Sequence, residues 1–261
     1  MQYETLSVTF AGQVASVTLN RPDVRNAFNE TMIAEITAVF QGLDARDDVR
    51  AAVLAAHGKA FCAGADLNWM KKMASYSDAE NHADALRLAA MLSAIYRCSK
   101  PVIARVNGDA YAGGMGLICA CDIVVAVDTA RFCLSEARLG LIPATIAPYV
   151  IRALGEQASR RYFTTAELFD CATALRLGLV SESVSEDRLD ATVQQLTDTL
   201  CANGPHAVRA CKQLVQDVAG HELNAALIEE TAARIARVRA STEGREGVAS
   251  FLEKRAPAWR N

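Results

Sequence analysis

The sequence predicts an α/β layered fold with a parallel core sheet, followed by an all-helical C-terminal segment. Three observations predict it. Short, continuous apolar runs recur, as expected of strands buried on both faces. Helical stripes stand between them, and strand, helix, strand in repetition builds a parallel layer. From about Asp187 only the helical period remains. The 261 residues, 51% apolar and 22% charged, suffice for a sizeable core without staples.

The elements follow in order. Alternation over Tyr3–Phe10, a turn at Ala11-Gly12 and renewed alternation over Val14–Leu19 read as a β-hairpin. Asn20-Arg21-Pro22-Asp23 is a loop. Asn29 is an N-cap for a helix to about Asp44, with Met32, Ile33, Ile36, Phe40 and Leu43 on one face. Ala51–Ala56 is a buried strand, followed by a glycine-bearing loop from Gly58 to Gly64. Leu67–Met73 and Asp78–Arg97 are helical; Pro101–Val106, Ile123–Val127 and Arg131–Leu134 are strands. Three stripes close the chain: Leu189, Val193, Leu196 and Leu200; Val208, Cys211, Val215 and Val218; Leu223, Leu227, Ile235 and Val238. We therefore divide the chain into an α/β body, residues 1–200, and a helical segment, residues 201–261, that must pack on the body or on another subunit.

Composition excludes several functions. A net charge of −3 gives no reason to expect nucleic-acid or anionic-membrane binding. Neither Ala110–Cys121 nor Leu139–Ile151 reaches the roughly 18–20 apolar residues of a membrane span. Met1-Gln2-Tyr3-Glu4 lacks a basic region before an apolar run, so no secretory signal is expected. The eight cysteines stand in apolar surroundings without a CxxC pair, which predicts reduced, buried thiols in a cytoplasmic protein. No histidine spacing suggests a metal site. Gly114-Met115-Gly116 lacks the third glycine of a dinucleotide fingerprint, and there is no Walker loop and no GxSxG elbow.

Two small-residue loops follow buried strands and open helices: Phe61-Cys62-Ala63-Gly64-Ala65-Asp66-Leu67, and Asn107 through Gly116. Small residues let backbone N–H groups approach a ligand, and a helix N-terminus adds partial positive charge. Two such N–H groups converging on one oxygen would form an oxyanion hole.

Asn20-Arg21-Pro22 with Arg25-Asn26-Ala27, the run FCAGADL, the run NGDAYAGGMGLICACDI, the run RFCLSEARLGLIP and the tail Phe251–Pro257 resemble the enoyl-CoA hydratase/isomerase family, the crotonase fold, in order and over essentially the whole chain. The resemblance implies a ββα spiral core and acyl-CoA chemistry. On it, Ala65 and Gly113 supply the oxyanion N–H groups and Glu136 is the catalytic carboxylate. Arg25 and Lys254 meet the CoA phosphates, while the backbone of Ala27, Ala63, Asp66 and Leu67 borders the nucleotide. Trp69, Met70, Met73 and Tyr111 line the acyl pocket beside Gly114 and Gly116. Phe251 and Lys254 reach a neighbouring subunit's site in a trimer or pair of trimers. No metal or redox cofactor is implied.

The chain departs from the family pattern at Gly116, where hydratases often carry a second glutamate. Either Glu136 performs both proton transfers, or water is held by another group, or the enzyme is a Δ3,Δ2-enoyl-CoA isomerase. A non-catalytic CoA-binding protein on the same fold is a further reading. Asp109 is the nearest alternative acid. A Gly116→Glu side chain is expected to improve water positioning if the site has room, or to block a branched acyl group. The details around Asn68-Trp69-Met70-Lys71-Lys72 and Ser135–Ala144 are similar to a bacterial subgroup acting on methylglutaconyl-CoA or its isoprenoid-extended analogue. The distal carboxylate of such a substrate would want a cation, with Lys71, Lys72, Arg87 and Arg138 as candidates.

Overall fold

A computed structural model describes residues 3–260; Met1 and Gln2, part of the N-terminal stretch read above, and Asn261 lie outside it. The hairpin forms as expected. β1 (Leu6–Ala11) runs antiparallel to β2 (Val14–Leu19), with Leu6 opposite Leu19, and Gly12 takes the left-handed turn at φ +56°. α1 (Glu30–Asp44) starts where Asn29 Oδ1 accepts the Met32 N–H at 3.0 Å, and its buried stripe faces the core. β3 (Ala51–Ala56) is buried throughout. α2 (Leu67–Met73) is capped by Asp66, and α3 (Asp78–Arg97) by a Ser77–Glu80 capping box.

After β4 (Val102–Val106) the chain crosses into a second, smaller sheet as β5 (Ala110–Tyr111), turns into α4 (Gly113–Cys119) and returns to the first sheet as β6 (Ile123–Val127). β7 (Arg131–Cys133) crosses again. α5 (Ala147–Leu154), α6 (Glu156–Thr165), β8 (Phe169–Asp170), α7 (Cys171–Arg176), β9 (Glu182–Val184) and α8 (Glu186–Ala202) complete the body. The first sheet has the order β1-β2-β3-β4-β6-β9, parallel from β2 onward; the second is β5-β7-β8. This repeated crossing is the spiral expected above. α8 lies across β3, β4 and β6 and buries Leu189 and Val193.

The C-terminal segment comprises α9 (Pro205–Val218), α10 (Ala225–Ala240) and α11 (Thr242–Leu252). α10 begins after its N-cap Asn224, so Leu223 precedes the helix on which it was expected; α11 was not expected at all. Neither α9 nor α10 buries any residue fully, and Val215, Phe251 and Leu252 are 67%, 82% and 72% exposed. The cysteines are all unpaired, but three depart from the expected burial: Cys121 and Cys201 are only partly buried, and Cys211 on α9 is exposed. Among the described residues no helix is long and apolar enough to cross a membrane.

Candidate active site

Three chain segments run side by side and in the same direction. Cys62 bridges Ala110, and Ala110 pairs with Phe132. The Tyr111 N–H reaches Cys62 O at 2.9 Å, and the Ala112 N–H reaches Cys133 O at 2.8 Å. Ala65, Gly113 and Glu136 each follow this common register by three or four residues. Parallel pairing therefore carries all three past the same end of these segments.

The first segment is fixed by Phe28. Its N–H donates to Gly64 O (2.9 Å), and the Asp66 N–H donates to its carbonyl (3.0 Å), which leaves the Ala65 N–H outside the ladder. Gly113 opens α4, so its N–H precedes any intrahelical acceptor. Among the described residues neither N–H meets a protein acceptor. The two loops touch: a Cβ on Gly64 would stand 3.6 Å from Gly113 N and 3.1 Å from Ala112 Cβ. Ala112 holds φ 47°, ψ −118°, a conformation costly to a residue with a Cβ, which starts the helix abruptly beside the loop. Gly113 must be glycine, because an added Cβ would lie 2.1 Å from Phe28 Cζ; at Gly114 it would meet Cys62 O at 2.6 Å.

Glu136 follows β7 in a single 3-10 turn. Its Oε2 is buried and has no hydrogen-bond partner. Burial pushes its carboxyl above the usual range, partly offset by a backbone hydrogen bond. A half-buried carboxylate with an unused oxygen, carried by the same strand register as two unused N–H donors, has the chemistry to move a proton next to a carbonyl whose oxygen such donors hold.

The remaining expected residues divide into groups. Arg25 and Asn26 both adopt φ 53°, and the buried Asn26 amide donates to His57 O (2.8 Å) and Ala60 O (3.0 Å), tying this turn to the first loop. The Ala63 N–H donates to Arg25 O at 3.0 Å, and Ala27 O accepts from Arg21. Asp66 caps α2 through Asn68 and Trp69 and pairs with Arg21 at 2.9 Å. A cleft of about 540 Å³ is lined by Arg25, Lys59, Ala63, Asp109, Tyr111 and Arg131, with the three cations along it. Lys59 and Arg131 escaped the sequence reading; each is a lone cation beside a loop already singled out, a signal too weak to choose it. A larger cavity, about 840 Å³, lies at the far end of α4 between α9 and the start of β6, and none of the expected catalytic residues lines it.

Trp69 is buried against Phe28, ring centroids 5.8 Å apart, with Nε1 unpartnered. Leu67 is exposed, and Met70 and Met73 are half-buried. Asp109 is fully occupied by Tyr111 and Arg131. Lys72 pairs with Glu30, Arg87 with Asp84, and Arg138 donates to Ala166 O; among the described residues Lys71 makes no ion pair. Phe251 lies in the last turn of α11 and Lys254 just beyond it, and among the described residues neither side chain hydrogen-bonds to these loops. Gly116 is buried. A Cβ there would lie 2.3 Å from Ile146 Cγ2 and 3.4 Å from Leu92 Cδ2, so a side chain meets Ile146 before either open space or an acyl group. Among the described residues no three His, Cys, Asp or Glu gather as metal ligands.

The chain is similar to known proteins over nearly its whole length. The profile described as enoyl-CoA hydratase/isomerase matches residues 9–261. An enoyl-CoA hydratase structure from Shewanella pealeana superposes with a TM-score of 0.96 at 44% identity, covering 99% of this chain and 97% of that one. The enoyl-CoA hydratase ACTT6 of Alternaria alternata is 35% identical over 254 residues, 95% of this chain and 80% of its own. The mevalonyl-coenzyme A hydratase sidH of Aspergillus fumigatus is 32% identical over 249 residues, 94% of this chain and 90% of its own.

Proposed function

Because the chain belongs to the enoyl-CoA hydratase/isomerase family, we propose that its hydratase activity, a hydro-lyase reaction on an acyl-CoA thioester, runs on the single carboxylate of Glu136. The unpartnered, buried Oε2 carries this reading. Glu136 takes a proton from water, and the hydroxyl oxygen bonds to C3 of the 2-enoyl group. The C2=C3 electron pair moves toward the thioester, whose oxygen becomes an enolate held by the Ala65 and Gly113 N–H groups. Losing one such donor costs roughly 2.7–4 kcal/mol in a comparable hole. Glu136 then returns its proton to C2 on the same face, completing addition of one water and restoring the carboxylate. No step calls on a metal or redox cofactor.

We assign the CoA phosphates to the cleft of Arg25, Lys59 and Arg131, with Phe251 and Lys254 reaching it from a neighbouring subunit's tail. The exposed apolar faces of α9–α11 support a trimer or pair of trimers. Residues 201–261 act as the assembling segment, and the unpaired cysteines support a cytoplasmic setting. For the acyl group we propose a branched or carboxylated chain such as 3-methylglutaconyl-CoA or an isoprenoid analogue. A hydratase relative named for a branched acyl group supports it, as does the unpaired Lys71 beside Met70.

The packing of Ile146 on Gly116 favours a second reading, because it leaves no second carboxylate one turn into α4 and a 1,3-proton shift needs only one. A panel of enoyl-CoA thioesters, followed by loss of conjugated absorbance and by mass, separates the two. Hydration adds one water to the product. A product of unchanged mass on every active thioester would replace the hydratase mechanism by isomerisation.

A further inference from the structure

Asp109 is the acidic group beside the site that the chemistry above leaves without a task. Its backbone carbonyl accepts the N–H groups of Phe61 (3.0 Å) and Cys62 (3.3 Å) in the first segment. Its side chain reaches the other way. Oδ1 accepts the Arg131 backbone N–H at 3.0 Å; Oδ2 accepts Arg131 Nη2 at 3.0 Å and the Tyr111 hydroxyl. One residue thus clips together all three parallel segments, just upstream of Ala65, Gly113 and Glu136. Burial acts to raise its carboxyl, but the hydrogen bonds from Tyr111 and Arg131 outweigh it and hold the group below the usual range. Burial and the carboxylate push the Tyr111 phenol up to about 12, so the arrangement stays charged on Asp109 and neutral on Tyr111 at ordinary pH.

The same network borders the cleft. Arg131 is 59% exposed there, alongside Arg25 and Lys59. A phosphate entering the cleft therefore meets the guanidinium that Asp109 already holds. Anchoring that guanidinium fixes Asp109 and Tyr111, and Tyr111 is two residues from the Gly113 N–H. Binding energy from a remote part of a substrate raises turnover when it is spent on orienting the reacting groups in this way.

We propose that Asp109 is a positioning residue that carries binding of the CoA phosphates in the cleft to the oxyanion segments. The proposal rests on the placement of CoA given above. It is tested by measuring kcat for one enoyl group carried on CoA and on pantetheine, which lacks the nucleotide, in wild type and in Asp109→Asn. Wild type should turn the CoA thioester over about tenfold faster than the pantetheine thioester, on the order expected when remote contacts supply orientation. Asp109→Asn should lose that preference: whatever the fall in kcat on the pantetheine thioester, the CoA-to-pantetheine ratio of kcat should drop about tenfold, to near one. A wild type without the preference, or a variant that keeps it, overturns the proposal. Tyr111→Phe deletes one hydroxyl and leaves the Asp109–Arg131 pair; it should lose about a threefold part of the preference and serves if the Asn variant does not fold. An unchanged preference there also counts against it. Equilibrium binding of CoA to Arg25→Ala and Lys59→Ala reports separately on the placement, since weakened binding is expected in both whatever becomes of the coupling.

Discussion

Burial of the Glu136 carboxyl moves two observable quantities in opposite directions. The base must be ionised to accept a proton, and burial raises the pH at which it ionises. The acid limb of kcat/KM should therefore lie above the ordinary carboxyl value of 4.5. The same shift weakens the fold. A carboxyl whose native pKa is raised binds more protons in the native state than in the unfolded one, so stability falls as pH rises from the unfolded value through the native one. Glu136→Gln keeps the shape and removes both effects. It should cut kcat by roughly 100- to 10,000-fold with CoA-thioester binding nearly intact. Its Tm at pH 7 should equal or exceed that of wild type. A variant keeping more than about a tenth of the rate, under about 1.4 kcal/mol of barrier, would remove Glu136 from the mechanism.

Packing between α4 and α5 decides what position 116 tolerates. Ile146 immediately precedes α5, is β-branched and therefore stiff, and fills the space a Cβ would need. Gly116→Ala should lower stability by about 1–3 kcal/mol despite alanine's better helix propensity. Ile146→Ala should offset part of that loss, so denaturant unfolding of the double variant should show less than the sum of the singles. Gly116→Glu adds a charge to the same crowded spot and should lose both stability and turnover on every thioester; a gain on crotonyl-CoA would mean that α5 yields. Elements of this kind were legible where a local signal marked them. Asn29 before α1, the six apolar residues of β3, and the ends of α2 and α3 were read to the residue. β5, β8 and β9, two or three residues long, are too short to carry a period and exist only through their partners. α11 was missed because Gly244 and Gly247 interrupt its stripe. The three proposed site residues, Ala65, Gly113 and Glu136, were reached through family resemblance, since a lone glutamate and two small residues are ordinary in isolation. What brings them together is strand register, a long-range property. The network around Asp109 was hidden for the same reason: its residues are adjacent only across three strands.

At the scale of the whole molecule, the proposed assembly predicts a trimer or larger species by sedimentation at micromolar protein. A monomer would also remove the cross-subunit role of Lys254. The uncovered faces of α9, α10 and α11 have a further consequence. If subunit contact completes both the core of these helices and the CoA site, then folding, assembly and activity share one mass-action equilibrium. Thermal midpoints should climb with protein concentration. Specific activity should decay on dilution to assay levels, recover on concentrating, and be protected by excess CoA: a dose-dependence on the enzyme itself, written into residues that never touch the reacting bond.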